Sequence, residues 1–240
     1  KLTFNLANDH TTSPFKCAVT GTGQIVLSGG GALQFSCPKL HTSKAAGWGT
    51  VYKDHFTTGG ISVESGVLKL PQGESVVTWY GPVTMAKGTT LYTAEKGATV
   101  VDSLNGYGLV TNVVVPVAAS DACQPLIFGD YGSRFVTDFK GVIGGGIKVQ
   151  ANAYVTLSNP ASTFGGNAIC YLCNSRSAED LGILRTTCLG MRGNPSPLGV
   201  GTSYSSWDIT LDYGGKLFYL GNTVAMPRGY PSMHGEHYFK

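Results

Sequence analysis

The chain is short of charge. Only 13% of its residues are Asp, Glu, Lys or Arg, roughly half the share in an average soluble protein. The formal net charge is +3 and no run of Lys and Arg concentrates it, so no nucleic-acid partner is expected. No apolar run approaches the roughly 18 residues of a membrane-crossing helix, so no membrane span is expected. No leader with an apolar stretch and a small-residue cleavage site opens the sequence, and we expect a mature or trimmed form. None of the ten asparagines stands in an N-x-Ser/Thr acceptor site, and Asn159 and Asn194 each precede proline. A surface that must stay bare, or a source without N-glycosylation, fits that absence.

Catalytic signatures are missing as well. There is no G-x-S-x-G elbow, no aspartic D-T/S-G and no G-x-G-x-x-G dinucleotide fingerprint. Ser13 to Lys16 spells S-x-x-K, but Pro14 stands inside it and disfavours the helical turn such a site uses. Gly144-Gly145-Gly146 precedes the strand-like run IKVQANAYVTL instead of a helix, so it reads as a bulge or a close backbone approach and not as a phosphate loop. Asp208 and Asp212 share one face of an alternating strand. Four residues of strand separate them by about 13 Å, too far for a paired-carboxylate mechanism. No cofactor is called for.

What the chain has is glycine, small polar residues and short apolar runs. Glycine reaches 34 residues and the hydrophobic share is 42%, a mix that excludes disorder and suits a turn-rich β protein. ISVES, VLKL, SVVTWY, PVTM, TTLYT, ATVVD and GLVTNVVVPV follow one another between glycine, proline and asparagine turns. QPLIF, RFVTDF, GVIGGGIKV and AYVTL continue the series after Ala118 to Asp121. This cadence predicts an all-β fold of antiparallel sandwich or jelly-roll type. The seam at 118–121 divides it into sandwich domains over 1–117 and 122–240, with a single large β domain as the alternative.

Three finer features stand out. Leu2 to Leu6 alternates as an N-terminal strand that pairs with its own sheet or is lent to a neighbour. Ser206 to Tyr213 alternates as an amphipathic strand, and Gly214-Gly215 reads as the hairpin turn into Lys216 to Leu220. Ser177, with Glu179 and Asp180 in the first turn and Leu181, Leu184 and Cys188 on one side, predicts one short helix near 177–187.

Cysteines sit at 17, 37, 123, 170, 173 and 188. An even number in a low-charge β chain predicts three disulfides and an oxidising compartment, with six buried free thiols as the plainer reading. A Cys17–Cys37 staple is favoured, and Cys123, Cys170, Cys173 and Cys188 are left to pair in an order that spacing does not assign.

Two further groups are candidate binding residues. Trp48, Tyr52 and Trp79 lie in or beside polar segments, where exposed rings would serve as stacking platforms for a glycan. Trp79 also fits a core position in an alternating strand. His234, Glu236 and His237 are candidate metal ligands, although Pro231 and Gly235 argue against the helical turn that would converge them, and a polar terminal tail is the plainer reading.

Together these features favour a secreted, non-enzymatic structural protein at a cell or particle surface. A coat or filament subunit that self-associates, or meets another surface protein, through β-sheet contacts is the leading expectation. A carbohydrate-binding module or glycan-active enzyme of sandwich fold is the alternative.

Overall fold

Residues 1–15, 19, 21–35, 42–45, 49–55, 59–70, 77–93, 99–112, 124–129, 136–145, 147–151, 153–164, 168–171, 182–190, 194–200, 209–212, 215–221 and 232–234 are described in the structure, a computed structural model. Alternating apolar residues build short strands, and each strand ends where a turn residue bends the chain. Ile25–Ser28, Ile61–Val63, Val83–Met85 and Leu104–Gly106 are four of them. From Ile25–Ser28 onward successive strands enter different sheets, apart from the antiparallel pair Thr42–Ala45 and Gly49–His55, and each strand's parallel neighbour lies one full circuit away.

Three sheets result. The first holds nine strands, in chain order Leu2–Asn5, Ile25–Ser28, Ile61–Val63, Val83–Met85, Leu104–Gly106, Val136–Phe139, Tyr154–Leu157, Ile183–Thr186 and Lys216–Tyr219. The second holds five, Ala32–Gln34, Val67–Lys69, Thr90–Tyr92, Leu109–Thr111 and Val142–Ile143. The third holds nine, Thr42–Ala45, Gly49–His55, Val77–Tyr80, Thr99–Val101, Gln124–Phe128, Ile147–Ala151, Ala168–Tyr171, Ile209–Asp212 and Ser232–His234. The chain visits the sheets in turn, which makes a parallel β-solenoid whose rungs stack at about 4.8 Å.

The expected antiparallel sandwich is therefore incorrect. All strand pairs are parallel except Thr42–Ala45 with Gly49–His55. Alternation reports that one face of a strand is buried, but it does not report the direction of the neighbouring strand. The glycine turns misled for the same reason. Ile209–Asp212 and Lys216–Tyr219, expected as the two arms of a hairpin, belong to different sheets. Gly144 and Gly145 lie between strands of the second and third sheets.

No described residue is helical. Ile183–Thr186, inside the expected helix at 177–187, is a strand paired with Tyr154–Leu157 and with Lys216–Tyr219. Residues 177–181 lie outside the described residues. Leu184 and Thr186 face the core as alternate residues of a strand, and a few apolar residues over so short a stretch fit either period. Residues 118–121 also lie outside the described residues. The sheets continue past them, since Thr99 pairs with Leu126 and Asn105 with Asp138.

In-register stacking makes the core a set of rows. In the first sheet Ile25, Ile61, Val83 and Leu104 are level with one another, and Val155, Leu184 and Leu217 continue the row. Thr137 stands between Leu104 and Val155, buried at 1% exposure. Its hydroxyl oxygen accepts the Leu104 N–H at 3.1 Å, so the polar group is satisfied inside an apolar row. The second sheet contributes Leu33, Leu68, Leu91, Val110 and Ile143, all buried. The third adds Val101, Phe128 and Ala151.

The second sheet stops at Val142–Ile143, and a loop takes its place. Thr163 N–H donates to the Ile143 carbonyl at 2.8 Å, and Ile143 N–H donates to the Ser162 hydroxyl at 3.1 Å. Phe164 and Leu198 are fully buried behind this join. At the other end Leu2–Asn5 pairs with Ile25–Ser28 of its own sheet. Phe4, Phe15 and Phe35 meet edge to face there, with ring centroids 5.7 and 5.9 Å apart, the geometry that aromatic quadrupoles favour.

Corners are as constrained as the core. Gly66 and Gly106 have φ of +84° and +89°, a region open to glycine at little steric cost. A Cβ on Gly66 would strike the Gly31 carbonyl oxygen, and one on Gly106 the Met85 carbonyl oxygen, each in the preceding rung. Two outcomes follow. Leu91→Ala, in the middle of a buried row, should lower unfolding free energy by about 2–5 kcal/mol in a denaturant titration. Gly106→Ala should also destabilise, by more than the roughly 1 kcal/mol of an ordinary glycine replacement, because strain and collision act together.

Candidate functional site

The most developed surface feature among the described residues is a groove at the corner between the first and second sheets. It arises from the way successive rungs stack at that corner. Val67 N–H donates to Gly31 O at 3.0 Å, Thr90 N–H to Gly66 O at 3.1 Å, Leu109 N–H to Thr89 O at 2.9 Å and Val142 N–H to Gly108 O at 2.8 Å. Tyr107 N–H bonds Met85 O and Lys140 N–H bonds Gly106 O, each at 2.8 Å. Backbone polar groups at the corner are thus spent on neighbouring rungs, and side chains are what the corner presents.

Lys87 stands in the turn from Ala86 to Thr89, closed by the Thr89 hydroxyl donating to Ala86 O at 2.7 Å. Tyr107 and Lys140 occupy corner positions of the next two rungs, and Asn159 that of the rung after. Asn159 is held in place: its amide N–H donates to Lys140 O, and its side-chain oxygen accepts the Ala161 N–H, both at 2.9 Å. Thr90, Leu109 and Val142 line the other side from outward positions of the second sheet. The groove has a volume of about 460 Å³. It crosses four rungs, so it runs about 14 Å along the stacking direction.

Its chemistry is an aromatic ring, an apolar floor and two cations. Tyr107 is 48% exposed and Leu109 38%. Lys140 reaches Asp138 at 3.3 Å with both side chains about half exposed. Such pairs are screened by solvent and bind weakly. Lys87 has no ion-pair partner among the described residues, and none of the lining residues is acidic.

The residues singled out in the sequence lie elsewhere. Tyr52 and Trp79 fall on neighbouring strands of the third sheet, Tyr52 level with Thr78, so the structure brings their backbones together. Their side chains and all of Trp48 lie outside the described residues. His234 ends the last strand of the third sheet, level with Asp212. Glu236 and His237 lie outside the described residues, and among those described no group of three His, Cys, Asp or Glu is placed to hold a metal. Cys188 is a free thiol, half-buried. Cys170 is in the third sheet with its backbone level with Ala151 and Leu211, and Cys17, Cys37, Cys123 and Cys173 lie outside the described residues. No helix among the described residues is long and apolar enough to cross a membrane.

In the sequence Lys87-Gly88 carries only the signal of a turn, which hides the groove residues. One signal was present. Lys87-Gly88, Tyr107-Gly108 and Lys140-Gly141 are the same pattern, a large side chain before glycine, and each precedes a strand of the second sheet by one residue or two.

A double-mutant cycle on Asp138→Asn and Lys140→Met should give a coupling of about 0.2–1 kcal/mol, falling with added salt, as suits an exposed pair. Comparison with protein-family models, curated proteins and solved structures returned no match.

Proposed function

We propose that this chain is a non-enzymatic structural protein of an extracellular or particle surface that self-associates through its sheet faces. The observation that carries this reading is the outward face of the first sheet toward its Lys216–Tyr219 end. Val136 and Tyr154 are level there on successive strands, Val136 is 59% exposed, and the row runs through the buried Ile183 to Lys216. Arg185 lies over the Tyr154 ring at 5.8 Å and is level with Phe218. Leu220, just past the sheet, is 55% exposed. Arginine, tyrosine and phenylalanine set among aliphatic groups are the residue types that concentrate in protein interfaces.

Earlier rungs present a different face. In the row that ends at Arg185 and Phe218, earlier rungs hold Ser62, Thr84, Asn105, Asp138 and Thr156, so the large outward side chains of that row lie at one end of the sheet. Low charge and the absence of N-x-Ser/Thr acceptor sites support the surface setting.

Light scattering over a concentration series should show a mass above one chain for the unmodified protein. Val136→Glu with Phe218→Ser should return it to one chain, with the exposed Val136 changing unfolding free energy by no more than about 0.5 kcal/mol and the half-buried Phe218 by more. A single-chain mass at every concentration would contradict the proposal.

A further inference from the structure

We propose that the corner groove binds a linear acidic polysaccharide, one whose sugars carry uronic-acid carboxylates. The inference is independent of self-association and rests on the groove alone.

Three features select the ligand. First, the groove follows the stacking direction across four rungs, with open surface along its length, so it suits an extended polymer better than a compact molecule. Second, the corner N–H groups of Thr90, Leu109 and Val142 are already donated to Gly66, Thr89 and Gly108. A peptide that binds by adding a strand needs an unpaired backbone edge, and this corner offers none. Recognition falls to side chains. Third, those side chains match a charged sugar chain. Tyr107 presents a ring of the kind on which the C–H face of a pyranose stacks, beside the apolar surface of Leu109 and Val142. Lys87 and Lys140 stand on either side of the Tyr107 rung, two rungs apart, or about 9.6 Å in backbone separation. Long flexible ammonium arms at that spacing can meet carboxylates on nearby sugars.

Charge complementarity decides between sugar classes. The lining has two lysines and no described acid, and Asp138 holds Lys140 only by an exposed pair at 3.3 Å. A polymer carboxylate can take the place of Asp138 there, since both sites are open to solvent. Nucleic acid is disfavoured, because two lysines in a chain of net charge +3 do not make a basic track.

The test is affinity electrophoresis of the whole chain through gels containing polygalacturonate or, in parallel, neutral dextran, with binding constants taken from a polymer concentration series. Retardation by polygalacturonate and not by dextran is expected, weakening as salt rises. Lys87→Ala with Lys140→Ala should weaken binding at least tenfold, and Tyr107→Ala severalfold, while Lys69→Ala on the second sheet leaves it unchanged. Lys87→Glu tests the same charge from a single exposed site, and an unchanged thermal midpoint shows that each variant is folded. No retardation of the unmodified chain would overturn the proposal. So would equal retardation by dextran, or retention of full binding in the Lys87/Lys140 variant.

Discussion

Parallel in-register pairing between successive rungs is the constraint on which everything else in this molecule depends. It sets each inner residue directly over its equivalent in the neighbouring rung, so that Leu33, Leu68, Leu91, Val110 and Ile143 form one continuous buried row. In such an arrangement each rung contacts only its neighbours, and stability approximates a sum of rung and rung–rung terms. A defect in the middle therefore weakens two interfaces, while one at an end weakens one.

The same constraint accounts for the composition. A charged residue repeated on consecutive outward positions would face its like about 4.8 Å away, which is unfavourable. The outward row Ser62, Thr84, Asn105, Asp138, Thr156, Arg185 and Phe218 sets no two charges side by side, and short polar side chains fill most of the rest. Glycine has a matching origin. Where a corner passes close to the carbonyl of the rung beneath, as at Gly66 and Gly106, a side chain has no room. Low charge and abundant glycine are thus consequences of one geometry, and together they leave the corners and one end of a sheet face as the places where distinctive chemistry is displayed.

Much of the strand content was legible in the sequence, because alternation of the kind seen in Ile61–Val63 or Val83–Met85 is a local property. The direction of pairing was not. It depends on which strand lies one circuit away, and the circuits are irregular, from 18 residues between Thr137 and Val155 to 41 between Ala168 and Ile209. No fixed repeat announces the solenoid. Asn105-Gly106 is a strong turn signal in sequence, yet it lies in the strand Leu104–Gly106, where glycine closes the strand as it turns the corner. Ile183–Thr186 was assigned to a helix because four residues of mixed polarity carry too little periodicity to separate 3.6 from 2. The groove was hidden for a different reason: Lys87, Tyr107 and Lys140 are 20 and 33 residues apart in sequence, and only the stacking of corners makes them neighbours.

The most direct check on the parallel register is a distance between spin labels at Ser62 and Thr156, outward positions four rungs apart in one row. The stacked register predicts a single narrow distribution whose backbone separation is about 19 Å. A broad distribution, or one centred well away from that value once label length is allowed for, would show that these strands do not share an in-register parallel sheet.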